Sequence, residues 1–255
     1  LPELRKIRDM SQAIGPLLGS GRIAEVFEYG EAAIKLYRDP ASRTAAFMEA
    51  ATLAVVGDHG LPTPQVHEAG RYAGRWGLVM DRAPGKPFAR VVQEDAEQVP
   101  AMLDAMVDLH LRMHRKPEAR LPSLKSRLVN RIGRAPALDD RLRGTLLERL
   151  AAMPDGNRLC HGDYHPFNVV GVPGRAMVID WVDATSGPAE ADVCRSFLLM
   201  STVVPELAED YLERYARTGG LDRTGILAWM PFVAAARLTE GIVEEQSALL
   251  RLAAS

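Results

Sequence analysis

Three side chains in one stretch have the types and spacing for phosphoryl chemistry. Asp163 and Asn168 stand five positions apart in His161-Gly162-Asp163-Tyr164-His165-Pro166-Phe167-Asn168, and Asp180 follows the apolar run Val178-Ile179. Such a transfer needs a base beside the acceptor hydroxyl and hard oxygen ligands for Mg²⁺, of which the protein usually supplies one or two. Asp163 suits the first task, and Asn168 with Asp180 suits the second. Asn168-Val169-Val170 and Ala176-Met177-Val178-Ile179 flank Gly171-Val172-Pro173-Gly174, which predicts a small hairpin. Folded back on itself, that hairpin lets Asn168 and Asp180 face one ion, with Asp163 on the loop leading in. Pro166 restricts His165 to extended backbone and helps fix the loop. Each residue alone is an ordinary turn or cap residue; the argument rests on three at this spacing.

These residues need a scaffold. At 255 residues the chain has room for one large domain or two lobes, each with a core. Its 47% hydrophobic and 25% charged content is ordinary for a globular protein. A formal net charge of -2 gives no basic footprint for nucleic acid. Cys160 and Cys194 make no disulfide framework and read as buried free thiols. No run approaches the ~18 apolar residues of a membrane span, and the N-terminal residues carry no apolar signal run. A cytoplasmic protein with no membrane partner is expected; its oligomeric state is not legible.

The first third reads as β-rich. Gly19-Ser20-Gly21 punctuates a turn that runs into Val26-Phe27-Glu28, Tyr29-Gly30-Glu31 then turns the chain into Ala32–Tyr37 as a hairpin, and strands at residues 65–69 and 76–80 flank a turn at Gly70 to Gly74. Residues 42–56 carry Phe47, Ala50, Ala51 and Ala54 at helical spacing, so a helix ending near Gly57 is expected. Beyond the connector Pro84-Gly85-Lys86-Pro87 the pattern is helical. Asp95 with Gln98 forms a capping box, and Val99, Met102, Leu103, Met106, Val107, His110 and Met113 define a buried face. Further helices are predicted over residues 123–134, 138–153, 190–201, 205–217, 223–233 and 235–253. The fold class is therefore α+β in two lobes, residues 1–81 and residues 82–255.

His161-Gly162-Asp163, His165-Pro166, Asn168 and Ile179-Asp180-Trp181 resemble the motifs of the aminoglycoside phosphotransferase and choline kinase-like family, over about residues 18–199. The resemblance implies a protein kinase-like fold, with a small antiparallel β-rich nucleotide-binding lobe and a larger, mostly helical catalytic lobe. It implies Asp163 as catalytic base, Asn168 and Asp180 as Mg²⁺ ligands, His161 as a loop organiser and Asp192 as a brace for the loop. Gly19-Ser20-Gly21-Arg22-Ile23-Ala24-Glu25-Val26 is similar to the kinase glycine-rich loop, with Ala24 where the last glycine usually stands. Backbone amides of Gly19, Ser20 and Gly21 would approach the phosphates, and Val26 would cover the adenine. Lys35 looks like the strand lysine that holds the α- and β-phosphates, with Glu49 as its ion-pair partner. Residues 77–85 match the segment joining the lobes, where the Asp81 carbonyl and Ala83 N–H would bond the adenine, with Met80 behind it. The implied donor is ATP, with GTP as the alternative.

His110 and His114 lie one helical turn apart, a spacing that can hold a metal. His110 falls on the apolar stripe and no nearby Glu or Cys completes a set, so packed, hydrogen-bonded histidines are expected. Only eleven residues separate Asp180 from Asp192, and the chain has neither D-F-G nor A-P-E. A small alcohol is therefore preferred over a protein as acceptor. An aminoglycoside would want an acidic wall, for which Asp183, Glu240, Glu244 and Glu245 are candidates. The last residues lack the acidic, aromatic-tipped tail of some aminoglycoside kinases, which leaves a macrolide, an amino alcohol or a sugar open. A nucleotide-binding pseudokinase scaffold and an unusual protein kinase are the other readings; intact Asp163, Asn168, Asp180 and Lys35 weigh against the scaffold.

Overall fold

Ala32-Ala33-Ile34-Lys35-Leu36-Tyr37 alternates two sets of side chains, and the strand it forms is buried on both faces. The computed structural model describes residues 13–255; residues 1–12 of the expected N-terminal lobe lie outside them. One compact unit holds the described residues up to Gly57 with Thr63–Ala83, and the other holds Asp58–Pro62 with Pro84–Ser255. In the first, β1 (Leu17–Ser20), β2 (Ala24–Tyr29), β3 (Ala32–Tyr37), β4 (Val66–Tyr72) and β5 (Arg75–Asp81) form one antiparallel sheet in the order β1-β2-β3-β5-β4. Ala32, Ile34 and Leu36 pack with Tyr29 and Val79 in a core cluster. The alternate set, Lys35 and Tyr37, meets Glu49 on helix α1 (Arg43–Gly57). The β4–β5 turn is tighter than the sequence suggests. Ala73 and Gly74 both take positive φ, 47° and 81°, giving a two-residue turn in which Gly70 pairs with Gly77 inside the ladder.

The second unit is mainly helical: α2 (Phe88–Glu94), α3 (Val99–His114), α4 (Leu124–Arg134), α5 (Asp140–Ala152), α6 (Ala189–Ser201), α7 (Pro205–Gly219), α8 (Arg223–Leu227), α9 (Met230–Arg237) and α10 (Gln246–Ala253). Asp95 caps a 3₁₀ turn, accepting from Glu97 N at 3.1 Å, and α3 begins only after it. Met102, Leu103, Met106, Val107, His110 and Met113 of α3 are buried, as their spacing predicts. Side-chain oxygens of Ser123 and Asp139 cap α4 and α5. The two long C-terminal helices expected from periodicity are instead three short ones. Pro231 sits in the first turn of α9, because it lacks the N–H an interior position would need. Gly241, at φ 70°, then ends the chain of turns that follows α9.

Two short ladders interrupt the helices. β6 (Arg158–Cys160) pairs with β9 (Thr185–Gly187), and β7 (Val169–Val170) pairs with β8 (Met177–Val178). The second is the expected hairpin; the first was hidden because three residues carry too little pattern. Cys160 and Cys194 are free and buried. Among the described residues, no helix is long and apolar enough to cross a membrane.

Candidate active site

The loop between β6 and β7 is held by a buried carboxylate. Asp192 of α6 accepts from the backbone N–H of His161 and of Gly162, each at 2.7 Å. It also accepts from Nε2 of His110 at 3.0 Å and of His114 at 3.1 Å. Their Nδ1 atoms pair with the hydroxyls of Tyr211 and Tyr215, so both ring nitrogens of each histidine are engaged. The three could approach a metal ion, lying within 4.8 Å of one another, yet each ligand atom is already spent on a hydrogen bond. Burial pushes the His110 imidazole down to about 3. Burial would raise Asp192, but its two histidine donors hold it well below the usual carboxylate range.

His161 is buried and works in the same way. Its Nδ1 accepts from Asp163 N at 3.2 Å, so its Nε2 donates to the Ile179 carbonyl at 3.0 Å. Burial lowers its pKa, and Trp181 packs on its ring at 4.5 Å. Gly162 has φ +81°, and a Cβ there would fall against the Asp183 carbonyl, so the loop admits only glycine. Tyr164 donates to the Met106 carbonyl at 2.9 Å and pins the next residue to α3.

Asp163 emerges from this frame with its carboxylate partly exposed. His165 Nε2 lies 3.3 Å from one oxygen, and Arg195 Nη2 lies 3.4 Å from the other. Burial would raise its pKa, but the His165 hydrogen bond, with the charges of His165 and Arg195, holds it well below the carboxylate range. Asn168 Nδ2 donates to the Asp163 carbonyl at 2.8 Å, which leaves Oδ1 as its ligand atom. Ile179 N donates to the Asn168 carbonyl at 3.0 Å, so Asp180 stands one residue from Asn168 across the hairpin. Asp180 has φ 63°, one of two positive values on non-glycine residues among those described, a strain that collects at functional sites. The hairpin thus brings two hard oxygen donors beside the Asp163 loop, a set that fits Mg²⁺.

In the first unit, Lys35 Nζ lies 2.8 Å from Glu49 Oε1, both nearly fully buried, and Tyr37 donates to the other Glu49 oxygen. Gly19 and Ser20 end β1 and Gly21 follows it, all three exposed, with Gly21 N bonded to Ala24 O at 2.9 Å. Val26 pairs with Lys35 across β2–β3. Met80 and Asp81 close β5, and Ala83 ends the unit. The Asp81 carboxylate accepts from Gln65 N at 3.1 Å and faces His67 Nε2 at 2.8 Å.

A model of the phosphotransferase enzyme family matches residues 17–227. The chain belongs to that family. This phosphotransferase is an ATP-dependent enzyme acting on an alcohol group. No curated protein matches its sequence. Its fold is similar to that of a thermostable mutant of aminoglycoside phosphotransferase APH(4)-Ia, with 17% identity, 95% of this chain and 94% of that chain covered, and a TM-score of 0.69. It is also similar to an aminoglycoside-3'-phosphotransferase of type VIII, with 20% identity, 90% and 92% coverage and a TM-score of 0.64. The same holds for APH(3'')-Id of Streptomyces rimosus, with 20% identity, 88% and 92% coverage and a TM-score of 0.61. At these identities the likeness establishes the α+β protein kinase-like fold.

Several groups around the phosphotransferase loop escaped sequence reasoning. Arg195 bonds Asp163 and donates to Glu240 at 2.6 Å. Asp192 braces the loop as expected, but its bonds to His110 and His114 were not anticipated. Arg127 and Arg131 of α4 both reach Asp183 Oδ1, at 3.1 and 2.7 Å. A signal was present in the Arg127, Arg131, Arg134 spacing, which places three cations along one helix face.

Proposed function

We propose that this enzyme transfers the γ-phosphoryl group of ATP to a hydroxyl of a small molecule by direct in-line displacement, with Asp163 orienting the nucleophile. The observation that carries the reading is the Asp163 carboxylate, kept ionised on a loop that Asp192 locks from behind. A carboxylate this acidic is a weak base, so its first task is to accept the hydroxyl's hydrogen bond and aim the oxygen. The proton moves late, as suits a loose transition state. His165 and Arg195 hold the carboxylate in place, and Asn168 ties its backbone to the hairpin.

Asn168 and Asp180 would hold Mg²⁺, which spreads the charge of the phosphates when bound. Lys35 would sit on the α- and β-phosphates, kept extended by Glu49, and the amides of Gly19 and Ser20 would approach the phosphate oxygens, whereas Gly21 N is already bonded to Ala24 O. Val26, Met80 and the backbone of Asp81 and Ala83 would receive the adenine. Positioning and charge neutralisation suffice, so no covalent enzyme intermediate is expected.

The acceptor is read as small because the chain from Asp180 to Asp192 is filled by a 3₁₀ turn, β9 and the start of α6. No length remains there for a peptide-docking segment. Two solved fold relatives are described with hygromycin B and with streptomycin, which makes aminoglycosides the first compounds to try. Buried free thiols support a reducing, cytoplasmic setting. The test is transfer of labelled γ-phosphate from ATP to a panel of aminoglycosides, macrolides, amino alcohols, sugars and hydroxy acids. Transfer to one class, absent in Asp163→Asn, is expected; an equally active mutant would remove Asp163 from its role.

A further inference from the structure

Of the four acidic candidates for a polycation's wall, Asp183, Glu240 and Glu245 are already occupied by arginines, and Glu244 is exposed. Asp183 Oδ1 is shared by Arg127 and Arg131. Glu240 is held by Arg195 at 2.6 Å and Arg237 at 2.9 Å, with Arg131 at 3.8 Å. Glu245 is taken by Arg237 at 2.7 Å. Asp183 also borders a groove of about 690 Å³, whose wall it shares with Arg127, Arg131 and Arg134. Three guanidinium groups line this groove with one carboxylate, and Glu240 reaches Arg131 among them, at 3.8 Å, so the wall keeps surplus positive charge and surplus N–H groups. An added ammonium would meet like charge here, whereas an oxyanion could accept bidentate bonds.

The groove leads to the chemistry. Arg127, Arg131 and Asp183 also border a smaller cavity of about 40 Å³, whose wall includes Gly162 and Arg195, the neighbour and the partner of Asp163. Thr185 lines the same cavity, and its buried hydroxyl has no hydrogen-bond partner among the described residues. Arg127 is the fixed member of the set, since it also donates to the carbonyls of Asp183 and Ala184. Arg131 is half-buried and holds Asp183 through Nη2, which leaves it further N–H donors, and Arg134 is exposed, so both have donors to present to a ligand.

We propose that the hydroxyl acceptor carries an anionic oxygen group, a carboxylate or a phosphate monoester, bound by Arg131 and Arg134 in this groove with Arg127 fixed behind them. The proposal rests on the phosphotransferase reading above and assigns its substrate class; Thr185 would meet a neutral polar part of the same molecule. The test uses four probes with one hydroxylated skeleton: glycerol, glycerate, glycerol phosphate and an aminopropanediol. Each is titrated against the whole chain with a non-hydrolysable ATP analogue and Mg²⁺ present. Glycerate or glycerol phosphate should bind at least about tenfold tighter than glycerol, the scale of one charge-assisted hydrogen bond. The tighter of the two identifies carboxylate or phosphate as the recognised group. That preference should weaken as salt rises and fall in both Arg131→Gln and Arg134→Gln, the second of which breaks no ion pair found in the structure. Anionic probes that bind no better than glycerol, absence of all binding included, overturn the proposal, as does preference for the cationic diol or an anion preference intact in both variants. ATP hydrolysis that depends on Asp163, measured on the same preparation, decides the phosphotransferase reading separately.

Discussion

Gly19 and Gly162 are the same residue type in two loops, and the fold needs only one of them. A Cβ on Gly162 would strike the Asp183 carbonyl at a backbone φ of +81°, whereas a Cβ on Gly19 would meet nothing within 4 Å. The loop around Gly162 is bonded from every side, by Asp192, Tyr164, His161 and Asn168. The turn after Gly19 is tied by Gly21 N to Ala24 O and by Arg38, which donates to Ser20 Oγ at 2.7 Å and Gly21 O at 3.1 Å. Glycine at 162 therefore serves the fold, and the fold places no steric demand for glycine at 19. The loop around Gly162 is held rigid by its own bonds, whereas the turn at Gly19 is exposed and tied mainly at Ser20 and Gly21.

That contrast can be broken by substitution. Asp163→Asn, at the centre of the bonded loop, should lower turnover on the order of 10²–10⁴ while the affinity for an ATP analogue stays the same. Loss of nucleotide affinity in parallel would assign Asp163 to binding. Gly162→Ala should destabilise the protein by at least about 1–2 kcal/mol through left-handed strain, with a steric term added, and reduce turnover with it. A wild-type denaturation curve for that variant would mean the loop is looser than its hydrogen bonds suggest. Gly19→Ser should leave stability within about 0.5 kcal/mol and raise the KM for ATP severalfold. An unchanged KM would return Gly19 to the status of an ordinary hairpin residue.

A further effect concerns pH. The His110 pKa is near 3 in the folded chain and about 6.5 when unfolded, so below pH 6.5 the unfolded state takes up the proton first. This contribution to stability is complete above pH 6.5 and declines toward pH 3, by up to about 1.4 kcal/mol per pH unit. Glu118, held near 2 against its burial by His59 and Arg120, adds its own loss as pH falls from about 4 to 2. Chemical denaturation at pH 7 and pH 5 should show the decline; equal stability at both would mean the buried histidine network does not strain the fold on acidification.

Legibility from the sequence followed distance along the chain. Asp163, Asn168 and Asp180 were readable because the loop and hairpin that position them are local. The Lys35–Glu49 pair was readable because one strand and the next helix contain it. His110 and Tyr211 lie 101 positions apart, and His110 and Asp192 lie 82 apart, so no spacing rule could join them. Asp183 and Glu240 were identified as acidic, but a sequence cannot say that arginines on α4, α6 and α9 already hold them. The helix breaks at Pro231 and Gly241 were visible residues whose weight was underestimated against a continuous apolar pattern.

The central claim is that phosphate leaves ATP for a small alcohol under the control of Asp163. Labelled γ-phosphate, followed with a protein-free metabolite extract as acceptor pool, tests it most directly. The account predicts label in a small organic phosphate, none bound to the protein, and no such product with Asp163→Asn. Label retained on the protein itself, or the same product from the mutant, would contradict it.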